Sequence, residues 1–295
     1  KAHRVALVEP VAYPKDSVIR VTAHGKNLIG WIEDNYYFYA HLMMWGRWTT
    51  FMGELPETID RRERARIVTA TGGAILLSAP VFQLGQGDPY EQVEMPKWLG
   101  PDVLPESDEP FDQAQFKQRL MSLQHGDFSE DHLDRTIGAV LLDQSSLAGI
   151  GNYLRAEILF LCQIDPWRNV SELTELELHQ LCEMIPQIAR RAYETGGSTV
   201  SDADRARMRQ DDTLVYRLGS EFGTRHYVFR RMNLPCLRCG TSIRQQKQVI
   251  HADAADEKTR IIYFCPTCQN PSIDLPPRRT KSRSKETEAK ADPIL

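Results

Sequence analysis

The chain has 295 residues, of which 41% are hydrophobic and 26% charged, and a formal net charge of −4. That is the composition of a soluble protein long enough for two domains of ordinary size and a real apolar core. No run of 18 apolar residues occurs, so no membrane-spanning helix is expected; the opening KAHRVALVEPV lacks the basic and apolar regions of a signal peptide, and a cytosolic location is the default expectation.

Residues 1–85 read as strands. VALVEPVAY, SVIRVTAH, NLIGWIE, YYFYAHLMMW, ARIVTA and AILLSAPVF are β-branched or aromatic runs, broken by HGK, EDN and TGG turn signals. A sandwich or barrel of hairpins is expected there. Residues 86–115 are rich in Pro, Gly and acids and read as a linker with little regular structure.

From about residue 114 the apolar period becomes helical. SLAGIGNYLRAEILFLCQIDP sets a Gly-rich turn before a helix with Leu154, Ile158 and Leu161 on one face and an Asp-Pro stop. SELTELELHQLCEMIPQIARRAYETGG reads as a second amphipathic helix, with Thr174 and Glu177 spaced as a capping box. Cys162 and Cys182 fall on apolar faces and read as core residues. Helical residues thus run over 116–232, within which DADRARMRQDD looks like a mobile polar loop. A cysteine module fills 233–270, and 271–295 reads as a disordered tail.

The module, CLRCGTSIRQQKQVIHADAADEKTRIIYFCPTC, carries two Cys-x-x-Cys pairs. In a reducing compartment such pairs are metal ligands rather than disulfides. Thiolates at i and i+3 on a tight turn point at one ion, and two such turns complete the four-sulfur shell that zinc prefers. Cys236, Cys239, Cys265 and Cys268 are therefore expected to hold one structural zinc, with SIRQQKQVI paired to RIIYF as a hairpin. Charge is concentrated here. Thr224 to Lys290 has fourteen Lys and Arg against six Asp and Glu, about +8, which leaves about −12 elsewhere. One basic face on an acidic molecule suits a nucleic-acid groove, and on charge alone a protein-binding ribbon suits it equally.

Gly149, Gly151 and Asn152 stand just ahead of the first helix. Free N–H groups at a helix N-terminus attract phosphate, and Asn152 can cap the helix or donate its amide to a phosphate oxygen.

LLDQSSLAGIGNYLRAEILF followed about 75 residues later by YVFRRMNLPCLRCG…RIIYFCPTCQ resembles the formamidopyrimidine-DNA glycosylase and endonuclease VIII family. There the first stretch is the helix–two-turn–helix motif and the second the zinc finger; LGPDVL, HGKNLIGWI and HLMMWGRW fit as well. The resemblance runs from about Val18 to Gln269 and leans towards endonuclease VIII. It implies an α+β protein, with an N-terminal β-sandwich and a C-terminal helical domain carrying that motif and a zinc-finger β-hairpin. It implies a monomeric DNA glycosylase and AP lyase of base-excision repair. Such enzymes take oxidised bases, here pyrimidines, out of damaged double-stranded DNA and nick the strand by β,δ-elimination.

Carried over residue by residue, Lys26 is the hairpin lysine that contacts the lesion phosphate and serves elimination. Asn152 clamps a phosphate, and Arg260 is the arginine at the finger's tip. Met43, Met44 and Trp45 fill the gap left by the flipped base, although Met44 fits a core position as well. Lys97 lies one position from a basic phosphate contact. One departure matters. The family nucleophile is an N-terminal proline followed by glutamate, whereas this sequence opens Lys1-Ala2-His3, with 25 residues before Lys26. Three readings follow: a sequence record that lost its start, a catalytically silent lesion-binding protein, or an amine of Lys1 or Lys26 acting instead.

Overall fold

A computed structural model of the chain describes residues 18–43, 45–54, 56, 60–93, 98–104, 111–125, 135–216, 218–253 and 256–275. The expected strand VALVEPVAY, Met44, Lys97 and the tail from residue 276 lie outside them.

Strands β1 (Val18–His24) and β2 (Asn27–Ile32) form a hairpin whose two-residue turn is Gly25-Lys26, with Gly25 at φ 59. Then come β3 (Tyr36–His41), β4 (Arg47–Met52), β5 (Glu63–Thr69), β6 (Gly72–Leu77) and β7 (Val81–Gln86). They build a sheet of order β1-β2-β3-β7 and another of order β4-β6-β5, all pairs antiparallel. The run AILLSAPVF is not one strand. Ser78 takes φ 56 and Pro80 has no N–H for a ladder, so β6 and β7 end up in different sheets. β4 was not among the expected runs, because its outer face is polar and mostly exposed. Phe38, Trp48 and Phe82 pack the two sheets together, with ring centroids 5.8–6.4 Å apart.

The helical half contains α1 (Pro89–Gln92), α2 (Gln113–His125), α3 (Ile137–Val140), α4 (Asn152–Leu161), α5 (Glu175–Glu194) and α6 (Asp202–Gln210). It is followed by β8 (Arg244–Asp253), β9 (Asp256–Phe264) and α7 (Pro266–Gln269). Thr174 and Glu177 make the reciprocal capping box of α5. The DADRARMRQ stretch, expected as a loop, is helix α6. Its Ser201 side chain accepts from Asp204 N, acids occupy its first turn and arginines its last, and Met208 is its buried anchor. With one buried apolar side chain in nine residues, α6 leaves no periodic signal.

A single apolar cluster runs from Val103 and Phe111 through α4 and α5 to Cys236, Ile243, Ile262 and Cys265, so the cysteine hairpin packs into the helical core. Ser272, placed by sequence in the tail, donates its N–H to Asp165 at 2.8 Å. No described helix is long and apolar enough to cross a membrane. The fully buried Glu157 of α4 ties in the approach to the hairpin: it accepts from the N–H groups of Tyr227, Val228 and Phe229 at 2.7–2.9 Å and from Thr199 Oγ1 at 2.6 Å. Glu157→Gln would turn an amide NH2 towards those donors. It is expected to destabilise the fold by about 2–4 kcal/mol in urea unfolding, since a buried charged acceptor is lost and donors are orphaned.

Candidate nucleic-acid interface and metal centre

The β1–β2 turn is pinned to the helical half by three contacts. His24 Nε2 lies 2.8 Å from Gly100 O, Gly25 N donates to Asp102 Oδ2 at 2.7 Å, and Lys26 Nζ donates to Ile150 O at 2.5 Å. A side chain at Gly25 would come within 2.7 Å of Gly149 N and 2.9 Å of the Ala148 Cβ. The LGPDVL, LAGIGN and HGKN stretches therefore interlock, and Gly25 and Gly100 allow the close backbone approach. Lys26 reaches solvent but is hemmed in by protein, and this desolvation pushes its pKa down to about 8.

Its ammonium lies beside the start of α4, where a Cβ on Gly151 would be 3.4 Å from Nζ. Gly151, not Asn152, is the N-cap of α4, and no side chain caps that end. The Asn152 side chain turns instead to the cysteine hairpin: Nδ2 donates to Ile261 O at 2.8 Å, and Oδ1 accepts from Arg155 at 2.6 Å. One amide hydrogen of Asn152 remains, beside the free N–H groups of the first turn.

Arg155 is fully buried and was not singled out by sequence. One Nη donates to Gly138 O at 3.1 Å and Gln248 Oε1 at 3.0 Å, the other to Asn152 Oδ1 and to Ile261 O at 3.2 Å. Burial, and after it the charge of Arg260, pushes its pKa down to about 9. Buried Gln248, also missed, extends the link to Pro166 O at 2.7 Å and Thr136 Oγ1 at 3.2 Å. The available signal was an arginine between two apolar residues of a buried helix face, Leu154 and Ala156.

Arg260 is exposed on β9, next to Ile261 and opposite Gln248. It sits in mid-strand rather than at the hairpin's tip, because pairing continues outward as far as Asp253 and Asp256. Lys26, Asn152 and Arg260 thus come from three distant stretches to surround the start of α4. His41 adjoins them; burial and the charge of Lys26 lower its pKa. Its Nδ1 accepts from Met43 N at 3.2 Å, which holds Met43 in a left-handed conformation at φ 51. Met43 and Trp45 stand 64% and 77% exposed, unusual for side chains of that size.

The four sulfurs of Cys236, Cys239, Cys265 and Cys268 lie within 4.8 Å of one another, with Cys239 and Cys265 3.4 Å and Cys236 and Cys268 3.9 Å apart. Ligands about 2.3 Å from a tetrahedral ion stand roughly 3.8 Å apart, so the set fits one metal ion. The N–H groups of Arg238 and Cys268 donate to Cys236 Sγ and Cys265 Sγ at 3.4 Å, as thiolate ligands require.

Residues 99–204 match the family model for the formamidopyrimidine-DNA glycosylase H2TH domain. The chain is 30% identical to the Endonuclease 8 of Salmonella arizonae over 253 residues, 85% of this chain and 83% of that protein. It is 31% identical to the Probable endonuclease 8 2 of Streptomyces coelicolor over 270 residues, 90% of this chain and 84% of that one. MutM in complex with DNA containing carbocyclic 8-oxo-G shares the fold, with a TM-score of 0.63 at 23% identity over 86% of this chain and 82% of that chain. Lactococcus lactis Fpg bound to abasic-site DNA, at a TM-score of 0.62, 23% identity and the same coverage, shares it too. Similarity at this identity and coverage, with the matching motif and fold, places the chain in the formamidopyrimidine-DNA glycosylase and endonuclease VIII family of base-excision repair glycosylase/lyases.

Proposed function

We propose that this protein grips damaged double-stranded DNA as a monomer in the cytosol and removes oxidised pyrimidines as a glycosylase and AP lyase. The observation that carries this reading is the convergence of Lys26, Asn152 and Arg260 on the open N-terminus of α4. Two cations, a side-chain amide and free helix N–H groups form a receptor for the phosphates that flank a lesion. Lys26 and Arg260 steady the charge on the phosphate that leaves during elimination. Met43, Met44 and Trp45 fill the stack that the everted base vacates. Zinc in the four-cysteine site, whose closed shell leaves no position for substrate, holds the hairpin in place.

Attack on the sugar belongs in the family to an N-terminal proline amine. Incubation with abasic-site duplex and borohydride tests which amine acts. A covalent adduct on this chain identifies one of its own amines, with the burial-lowered Lys26 first to be mapped. No adduct, with damage-selective and salt-sensitive binding retained, would overturn the lyase part of the proposal and leave the gripping role standing. Binding that ignores the lesion altogether would sink the proposal.

Three further outcomes follow from the geometry. Asn152→Ala is expected to weaken binding about tenfold on all sequences alike, roughly 1.4 kcal/mol, because a phosphate contact reads no base. The ammonium form of Lys26 binds phosphate and is lost as pH rises through about 8. Affinity should therefore fall between pH 7 and 9, and Lys26→Arg should flatten that profile while keeping affinity at pH 7. His41, whose pKa is lowered, is already neutral in this window. Elemental analysis should find one zinc per chain. Because the hairpin shares the helical core, stripping the ion with phenanthroline should lower both the thermal midpoint and DNA affinity; a metal-free protein with unchanged stability would refute the zinc assignment.

A further inference from the structure

Two arginines stand side by side where the chain approaches the first cysteine pair, and only one of them serves the fold. Arg231 is fully buried and donates to three backbone carbonyls, those of Tyr227 at 2.5 Å, Pro235 at 2.9 Å and Leu214 at 3.0 Å. Arg230 is exposed, with its guanidinium carbon 5.5 Å from the centre of the Phe229 ring. Among the described residues its side chain has neither an ion pair nor a hydrogen bond.

The backbone of Arg230 is costly as well. Arg231 N donates to Val228 O at 3.0 Å, closing a turn in which Arg230 is the third residue, at φ 61. A left-handed residue at that position suits glycine or asparagine, because a longer side chain's Cβ crowds the backbone there. Asn233, left-handed at φ 69, obeys that preference three residues on, and Arg230 does not. A strained residue whose side chain makes no bond to the fold points to a role outside it.

The rings beside Arg230 lead to the start of α4. Phe229 lies 5.2 Å from Tyr263 of β9 and 6.1 Å from Tyr153, centre to centre. Tyr153 follows Asn152 directly, and Tyr263 lies two residues beyond Ile261, whose carbonyl receives Asn152. The charge of Arg230 is felt at Tyr263, whose pKa is raised by burial and drawn back by that charge. We infer that Arg230 binds a second phosphate of the damaged strand, next along from the one held at the start of α4. The inference rests on the glycosylase reading above. Packing on Phe229 restrains the long side chain beforehand, so less freedom is lost when a phosphate arrives, and the guanidinium fork matches two phosphate oxygens. A cation open to water beside a phosphate receptor suits backbone contact rather than the reading of a base edge.

The test is equilibrium binding of the full chain across a salt series, to a duplex with a tetrahydrofuran baseless site and to its undamaged counterpart, with thermal unfolding of each variant. Arg230→Gly removes the cation and relieves the turn, so its thermal midpoint should be unchanged or raised. Its affinity for the tetrahydrofuran duplex should fall about three- to tenfold at about 0.1 M salt. The slope of log affinity against log salt should shrink by about one, the signature of one lost phosphate contact. Arg230→Lys keeps the charge but not the fork, so it should keep the slope and most of the affinity. Wild-type affinity and slope in the glycine variant would overturn the inference alone. So would a lowered midpoint, or a loss of affinity with the slope unchanged, since either marks a structural role. A wild-type protein that binds both duplexes alike would overturn the glycosylase reading and this inference with it.

Discussion

A buried guanidinium without a carboxylate organises this site. Arg155 is fully buried, and its hydrogen bonds run to two backbone carbonyls and two side-chain amide oxygens, on α3, α4, β8 and β9. Removing such a charge from water is expensive, and the dense set of neutral acceptors offsets part of that cost. Because the guanidinium fork is planar and rigid, its acceptors are fixed relative to one another. Asn152 is thereby oriented: its oxygen is taken by Arg155, so its nitrogen must serve as donor, one hydrogen to the hairpin and one outward. A carboxylate partner would have satisfied Arg155 more simply. It would also have cancelled the positive field at the start of α4.

The same logic extends outward. Lys26 and Arg155 both have pKa values lowered by burial, and Arg260 adds like charge close to Arg155. The nearby acids are committed to backbone groups. Asp102 accepts from the N–H groups of Gly25 and Leu104, and Glu157 from those of Tyr227, Val228 and Phe229. Both acids thereby build the scaffold. An anion at the start of α4 would offset the like charge gathered there.

The parts of this arrangement that announce themselves in sequence do so by spacing or by forced backbone geometry. Two Cys-x-x-Cys pairs can hardly serve another purpose in a reducing compartment, and a Gly-rich turn before an apolar helix marks an N-terminus. The capping box of α5 was equally plain. What stayed hidden depends on tertiary neighbours. Arg155 is an ordinary helix residue until Ile261 and Gln248, both about a hundred positions away, close over it. Helix α6 buries one apolar side chain and is held by its Ser201 cap and by Arg205 and Arg209 bonding to Glu221, so no period betrays it. The split of AILLSAPVF turns on one left-handed serine and one proline, a local event inside a run whose composition is uniformly strand-like. Asn152 suits a cap by residue type, and loses that role because β9 offers its amide a carbonyl.

The cysteine centre is linked to the start of α4 through β9. Cys265 follows that strand directly, and Ile261, whose carbonyl receives both Asn152 and Arg155, lies four residues back, a span of about 13 Å in an extended chain. Between them Phe264 is fully buried against the edge of Trp167, and Gln269 on α7 bonds to Cys265 N and Ile164 O. A metal ion held at one end of so stiff a lever would fix Arg260 and the Ile261 carbonyl at the other. Loss of such an ion would be felt at Asn152, because the orientation of that side chain is set by its bond to Ile261 on the same strand.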